Sequence, residues 1–126
     1  MTAVLELKYE DSIRLDRSQL DVLYQSLGAI GADKVVSQAL EDLAVALSRG
    51  DREYREGRLD DLRLSVRGLI AVAQQIGMTT LARVGRDVLE LSSSHDAAAF
   101  GAAMARLERI GECSLAAFWD LQDMSV

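Results

Sequence analysis

Histidine, cysteine and adjacent carboxylates are the side chains of this 126-residue chain best suited to moving a proton or a chemical group, and each lacks the neighbours such work needs. The single histidine, His95, follows three serines and precedes Asp96 at the start of a helical stretch. That position suits an exposed loop or cap residue, and one histidine beside one aspartate is too few donors for a metal. Cys113 is alone, so the chain can form neither an internal disulfide nor a multi-cysteine metal site. Asp60 and Asp61 are consecutive, and on a helix they point about 100° apart, which prevents them from sharing a proton as a catalytic pair. No Gly-x-Ser-x-Gly, phosphate-binding glycine loop or His-Glu-x-x-His occurs. The reading is of a protein that is not an enzyme and has no cofactor or metal.

Chemistry of another kind is suggested by Val66 to Glu90, VRGLIAVAQQIGMTTLARVGRDVLE. Val66, Leu69, Ala73 and Ile76 recur at 3,4,3 spacing, the pattern of one buried helix face. Gly77 closes that helix, and Leu81, Ala82, Leu89 and Glu90 lie on the next. This stretch resembles the centre of a histidine phosphotransfer (HPt) domain, in which one helix carries a pattern close to small-His-x-Leu-Lys-Gly-x-x-x-x-Ile-Gly and a second helix begins Leu-Ala. Aligned without a gap, Val66 takes the small apolar position, Arg67 the histidine, Leu69 the leucine, Ile70 the lysine, Ala71 the glycine, and Ile76 and Gly77 the ending. A second register uses Arg67 and Gly68 as the Lys-Gly pair and puts Leu64 at the histidine position. It leaves the Ile-Gly ending three residues out of step, so the first is preferred. Neither register contains a histidine.

The resemblance covers nearly all of residues 15 to 122 and implies a bacterial two-component phosphorelay as the setting. In a working HPt domain the histidine projects from the bundle, the lysine attracts the phosphoryl group, and the glycine gives a receiver domain room to approach. Arg67 cannot carry a transferable phosphoryl group, because its guanidinium stays protonated and is a poor nucleophile. The expectation is therefore a non-phosphorylatable module that docks a response-regulator receiver or a histidine kinase domain. Leu64, Arg67, Ile70, Ala71 and Gln74 are expected to form its docking strip, turned away from the buried seam. An arginine rimmed by apolar residues suits the acidic pocket of a receiver. Two alternatives stay open: a phosphotransfer protein using His95 or another unconventional residue, and a helical scaffold unrelated to phosphorelay.

The elements that must position this strip are legible as helices. Leu, Ala and Val dominate the apolar half, proline is absent, and there are only one tryptophan, three tyrosines and two phenylalanines, a composition that favours packed helices over sheets. Leu5, Leu7 and Tyr9 alternate with charged residues, which predicts an extended arm over residues 1–14 ahead of one bundle domain over 15–126. Ser18 is expected to cap a short helix carrying Leu20, Leu23, Tyr24 and Leu27 and stopped at Gly28. Asp33 would cap a longer helix with Val36, Leu40, Leu43 and Leu47 inward, ended by Gly50. Leu59, Leu62, Val66, Leu69, Ala73 and Ile76 form the seam of the next, and Gly57 before it can mark a bend. Thr79 would cap a helix with Leu81, Val84, Val88 and Leu91 inward, broken by Ser92, Ser93 and Ser94. A final helix from about Asp96 to about Gln122 has Phe100, Ala103, Leu107, Ile110, Ser114, Ala117 and Leu121 on one face. These elements predict an all-α, antiparallel up-down-up-down four-helix bundle with a short extra N-terminal helix.

Charge narrows the partners. A formal net charge of −6 argues against nucleic acid, since phosphate contact needs a concentrated basic stripe. The run from Asp51 to Asp61 interleaves Arg52, Arg55 and Arg58 with acids, as on a solvated helix face held by i,i+4 pairs. No stretch approaches about 20 uninterrupted apolar residues, and the first residues are too acidic for a secretory signal, so a cytoplasmic protein without a membrane partner is expected. Oligomeric state is not legible.

Overall fold

The computed structural model describes the backbone of residues 4–7 and 13–124, with side chains from 14 to 120; the expected arm residue Tyr9 and the Leu121 side chain lie outside these. Two short strands, β1 (Val4–Leu7) and β2 (Ile13–Asp16), pair antiparallel with Leu5 opposite Leu15. Four helices follow: α1 (Arg17–Arg55), α2 (Leu59–Gln75), α3 (Thr79–Leu91) and α4 (Ala97–Met124). α1 packs on α2, α2 on α3, α3 on α4, and α4 returns to α1, giving a helical bundle around one core.

Helix ends follow local chemistry more closely than the periodicity suggested. Asp16, rather than Ser18, caps α1: its carboxylate accepts the Ser18 backbone N–H at 3.0 Å and also the Ser18 hydroxyl. Gly28 breaks the helical dihedrals inside α1 at φ 74°, ψ 172°, a left-handed conformation that glycine adopts without a Cβ penalty. Asp33 does not cap a new helix. It accepts a hydrogen bond from the Tyr24 hydroxyl across that break, and this bond, with burial and the negative charge of Asp33, pushes the Tyr24 pKa up to about 12.

Gly50 does not end α1 either. It is buried within the helix and faces Leu62 of α2: a Cβ there would lie 3.6 Å from Leu62 Cδ1, an ordinary van der Waals contact, so the position has room for alanine. The stop comes at Gly57, φ 71°, where Gly57 N–H donates to the Tyr54 carbonyl and Arg58 N–H to that of Glu53. Gly77, φ 80°, ends α2 with the same pair of bonds, from Gly77 N–H to Gln74 and from Met78 N–H to Ala73. Both are Schellman caps, which satisfy the carbonyls left over at a helix end. Ser92 and Ser94 close α3 with hydroxyls donated to the Leu89 and Leu91 carbonyls, and Asp96 opens α4 by accepting the Ala99 N–H at 2.9 Å.

Along α2, Leu62, Val66, Leu69, Ala73 and Ile76 are buried, as the seam predicts, but Leu59 at its start is 36% exposed. Val36, Leu40 and Leu43 of α1, Leu81, Val84 and Val88 of α3, and Leu107, Ile110, Ala117 and Phe118 of α4 complete the core. β2 is fastened to the α2–α3 corner. Leu15 is buried and bridges Met78, Asp16 N–H donates to the Gly77 carbonyl at 2.7 Å, and Arg14 N–H donates to the Thr80 hydroxyl at 2.8 Å. Thr79, expected as a cap, makes no cap bond; its hydroxyl donates to the Arg14 carbonyl instead. The strand thus pairs with the Gly77 carbonyl and with the Thr79 and Thr80 hydroxyls at this corner.

Candidate functional site

α2 is held by its two ends and by its inner face, which leaves its outer face open. At the start, Arg58 bridges Glu56 and Asp61, and Arg63 pairs with Asp60 at 2.9 Å while reaching the Ser92 hydroxyl and carbonyl of α3. Asp60 and Asp61 therefore serve different arginines, as adjacent helix positions require. Ser65 donates to the buried Glu53 carboxylate of α1 at 2.6 Å, fixing the rotation of α2 against α1. A buried carboxylate needs such a partner, because desolvation without one is costly.

On the open side, Arg67 is exposed in the middle of α2 and has no ion pair or side-chain hydrogen bond among the described residues. Leu64, one turn before it, is 66% exposed, and Ala71 and Gln74 are exposed beyond. Ile70 departs from the expected strip. It is only 8% exposed and lies over Gly85 of α3, where a Cβ would come within 2.7 Å of Ile70 Cγ1. The reason is helical rotation: Ile70 lies about 40° around α2 from buried Val66, on the flank that α3 covers. A side chain there fills the α2–α3 interface and is not available to a partner.

Counting i, i+3, i+4 from Arg67 therefore runs through buried Ile70, whereas the same count from Leu64 gives Leu64, Arg67 and Gly68, all exposed, with open space above Gly68.

The sequence reading missed the α1 side of this face. Asp42, Val45, Ala46 and Arg49 of α1 line a groove of about 380 Å³ with Leu64, Ser65, Gly68 and Val72 of α2. Val45 is 54% exposed. Its signal in the sequence was weak but present: it is a large aliphatic lying off the Val36-Leu40-Leu43-Leu47 stripe. Only the packing of α1 on α2 sets it opposite Leu64.

His95 is exposed between Ser94 and the Asp96 cap, whose carboxylate is already engaged by the α4 N-terminus. Cys113 is partly buried against the core. Among the described residues no group of three or more His, Cys, Asp or Glu side chains is placed to hold a metal ion, and no helix is long and apolar enough to cross a membrane. No protein-family model, curated protein or solved structure matches this chain.

Proposed function

We propose that this protein is an HPt-like signalling module of a bacterial two-component system, cytoplasmic and non-catalytic, which docks a receiver or histidine kinase domain through the outer face of α2 without accepting a phosphoryl group. The fold read in this way is an antiparallel up-down-up-down bundle in which residues 17–27 act as a short leading helix. Its support lies in the pairs Ile70–Gly85 and Arg63–Ser92 between α2 and α3, and Leu47–Gly111 and Tyr54–Gly101 between α1 and α4, whose numbers fall on one helix as they rise on the other, and in the break at Gly28.

The observation that carries the function is Arg67, an unpaired guanidinium exposed at mid-helix beside exposed Leu64. An exposed arginine without an ion pair, beside an exposed leucine, suits a protein interface, where arginine is enriched over the rest of the surface. An acidic receiver pocket complements it. Calorimetry against receivers that bind the wild type tests the reading: Arg67→Glu should weaken the complex while leaving the fold intact. Unchanged affinity would remove α2's outer face from consideration.

Relay competence has a separate test. Incubation with a phosphorylated receiver or an autophosphorylating kinase should leave no acid-labile label on the wild type, and label that disappears in His95→Gln would make this a true phosphotransfer protein. Restoring the first-register residues by Arg67→His, Ile70→Lys and Ala71→Gly would place a lysine at the buried α2–α3 contact. The exposed triple offers the milder reconstruction, Leu64→His with Arg67→Lys beside the existing Gly68. A scaffold reading draws on Val22, Leu27 and Ile30 of α1, which are exposed at 60%, 50% and 77%. Sedimentation showing self-association without any response to receivers would favour it.

A further inference from the structure

We infer that the cavity between α1, α2 and α4 binds a small primary amine, whose compact apolar body seats among Leu47, Val66, Leu69 and Met104 and whose ammonium group meets Glu108 at the mouth. None of Leu64, Arg67, Ala71 and Gln74 lines this cavity, so the site is separate from the outer face of α2 and does not depend on what docks there.

Two close contacts between α1 and α4 bracket the space. A Cβ on Gly111 would come within 2.6 Å of Leu47 Cδ1, and one on Gly101 would lie 3.1 Å from the Tyr54 hydroxyl. Between these points opens a cavity of about 150 Å³, floored by Val66 and Leu69 of the α2 seam and walled by Leu47 and Tyr54 of α1 and Met104 and Leu107 of α4. The Tyr54 wall is set in place by Phe100, which meets its ring edge to face at 5.2 Å. Gly50 also lines the cavity. A Cβ there would meet Leu62 Cδ1 and no other neighbour from across the bundle within 4 Å. Glycine weakens a helix interior relative to alanine, so what the bare position provides is space. Ala105 and Glu108, both exposed, form the mouth.

Size and charge select the guest. A cavity of this volume holds one body of about benzene size, and it is too small for a nucleotide or a larger cofactor, whose pockets run to roughly 300 Å³ and more. Its ionisable lining is Asp51, Tyr54 and Glu108, with no lysine or arginine among them. Asp51 is answered from outside the lining by Arg55, at 3.0 Å. Glu108 has no ion pair, and the Tyr54 hydroxyl no hydrogen bond, among the described residues. An anionic guest would be repelled and a neutral one would leave the Glu108 carboxylate unpaired. An ammonium brings the opposite charge and three N–H donors for the carboxylate and the phenol oxygen. Because a buried charge is costly, the ammonium stays at the exposed mouth while the apolar body fills the interior.

The test is a titration of the full chain, isotope-labelled at its leucine, valine and methionine methyl groups and followed by NMR at neutral pH, with benzylamine, benzyl alcohol and phenylacetate. Benzylamine should give saturable shifts centred on Leu47, Val66, Leu69 and Met104, and phenylacetate should bind roughly tenfold more weakly or not at all. Glu108→Gln should lower benzylamine affinity about threefold, the scale of one exposed charge pair, without changing that of benzyl alcohol. Gly50→Ala, which narrows the interior, and Ala105→Leu, which narrows the mouth, should each weaken both guests by about threefold or more with the circular dichroism of the folded chain retained. No saturable shifts at these methyl groups, phenylacetate binding as tightly as benzylamine, or affinity untouched by both Gly50→Ala and Ala105→Leu would overturn the site. Benzyl alcohol binding as tightly as benzylamine, with Glu108→Gln silent, would overturn the amine and leave a merely apolar cavity.

Discussion

Replacing Gly77 by alanine should destabilise the protein by about 2 to 4 kcal/mol, clearly more than the same change at Gly57. Both glycines end a helix in a Schellman cap, with φ of 80° and 71°, so each substitution forces an L-residue into a left-handed conformation at a cost of about 1 to 2 kcal/mol. There the likeness ends. A Cβ on Gly57 meets nothing within 4 Å, whereas one on Gly77 runs into the backbone carbonyl of Asp16 in β2. Backbone cannot rotate out of the way as a side chain can, so β2 must move from the α2–α3 corner. That shift loosens the bond from Asp16 N–H to the Gly77 carbonyl and the one from Arg14 N–H to Thr80, each with a net worth of about 0.5 to 1.5 kcal/mol. It also lifts buried Leu15 from Met78. Urea unfolding monitored by circular dichroism measures the two variants side by side, and hydrogen exchange at the Asp16 amide reports the strand directly. Equal losses of stability in Gly57→Ala and Gly77→Ala, with Asp16 still protected, would refute the account of β2 as part of the packed corner.

Further outcomes follow from the core and the surface. Leu69→Ala should cost about 2 to 5 kcal/mol as a buried leucine of the α2 seam, and Arg67→Glu no more than about 0.5 kcal/mol, both by chemical denaturation. Ser114→Ala should stabilise the protein by about 1 to 2 kcal/mol, because its buried hydroxyl has no hydrogen-bond partner among the described residues; a loss measured by thermal melting would mean that the hydroxyl is satisfied. Tyr24 titrates higher in the folded chain than its ordinary value of 10.0, so the neutral phenol bonded to Asp33 adds stability below about pH 10 that is lost as pH rises towards about 12. Ultraviolet titration should show one late tyrosine that Tyr24→Phe removes, and Asp33→Ala should return it towards the ordinary range. Cys113 should react slowly with thiol reagents in the native protein, since it packs partly against the core; labelling as fast as in denaturant would contradict that.

The sequence alone determined the helices and most of their inward faces, because a buried helical stripe must repeat every three or four residues wherever it packs. It also placed the glycine stop at Gly77 and the serine break after α3, since these are local preferences of the backbone, whereas Gly57 was read only as a bend and proves to be the left-handed end of α1. Gly28 was read correctly as a break, yet Gly50 was read as a stop when α1 runs on through it to Arg55. A helix-ending glycine and a buried glycine in a helix interior look alike until Leu62 is found facing one of them. The same limit applies to Ile70. Its place on the flank of the seam is fixed by the sequence, but whether that flank meets solvent or α3 depends on Gly85, fifteen residues on, which lets the two helices approach. Val45 and Arg49 became part of a site only when α1 was laid along α2, and the hairpin found its role only at the α2–α3 corner. Periodicity reports how each helix divides into an inner and an outer side; which neighbour closes each flank, and which outer residues then face one another across a groove, is decided by contacts between distant parts of the chain.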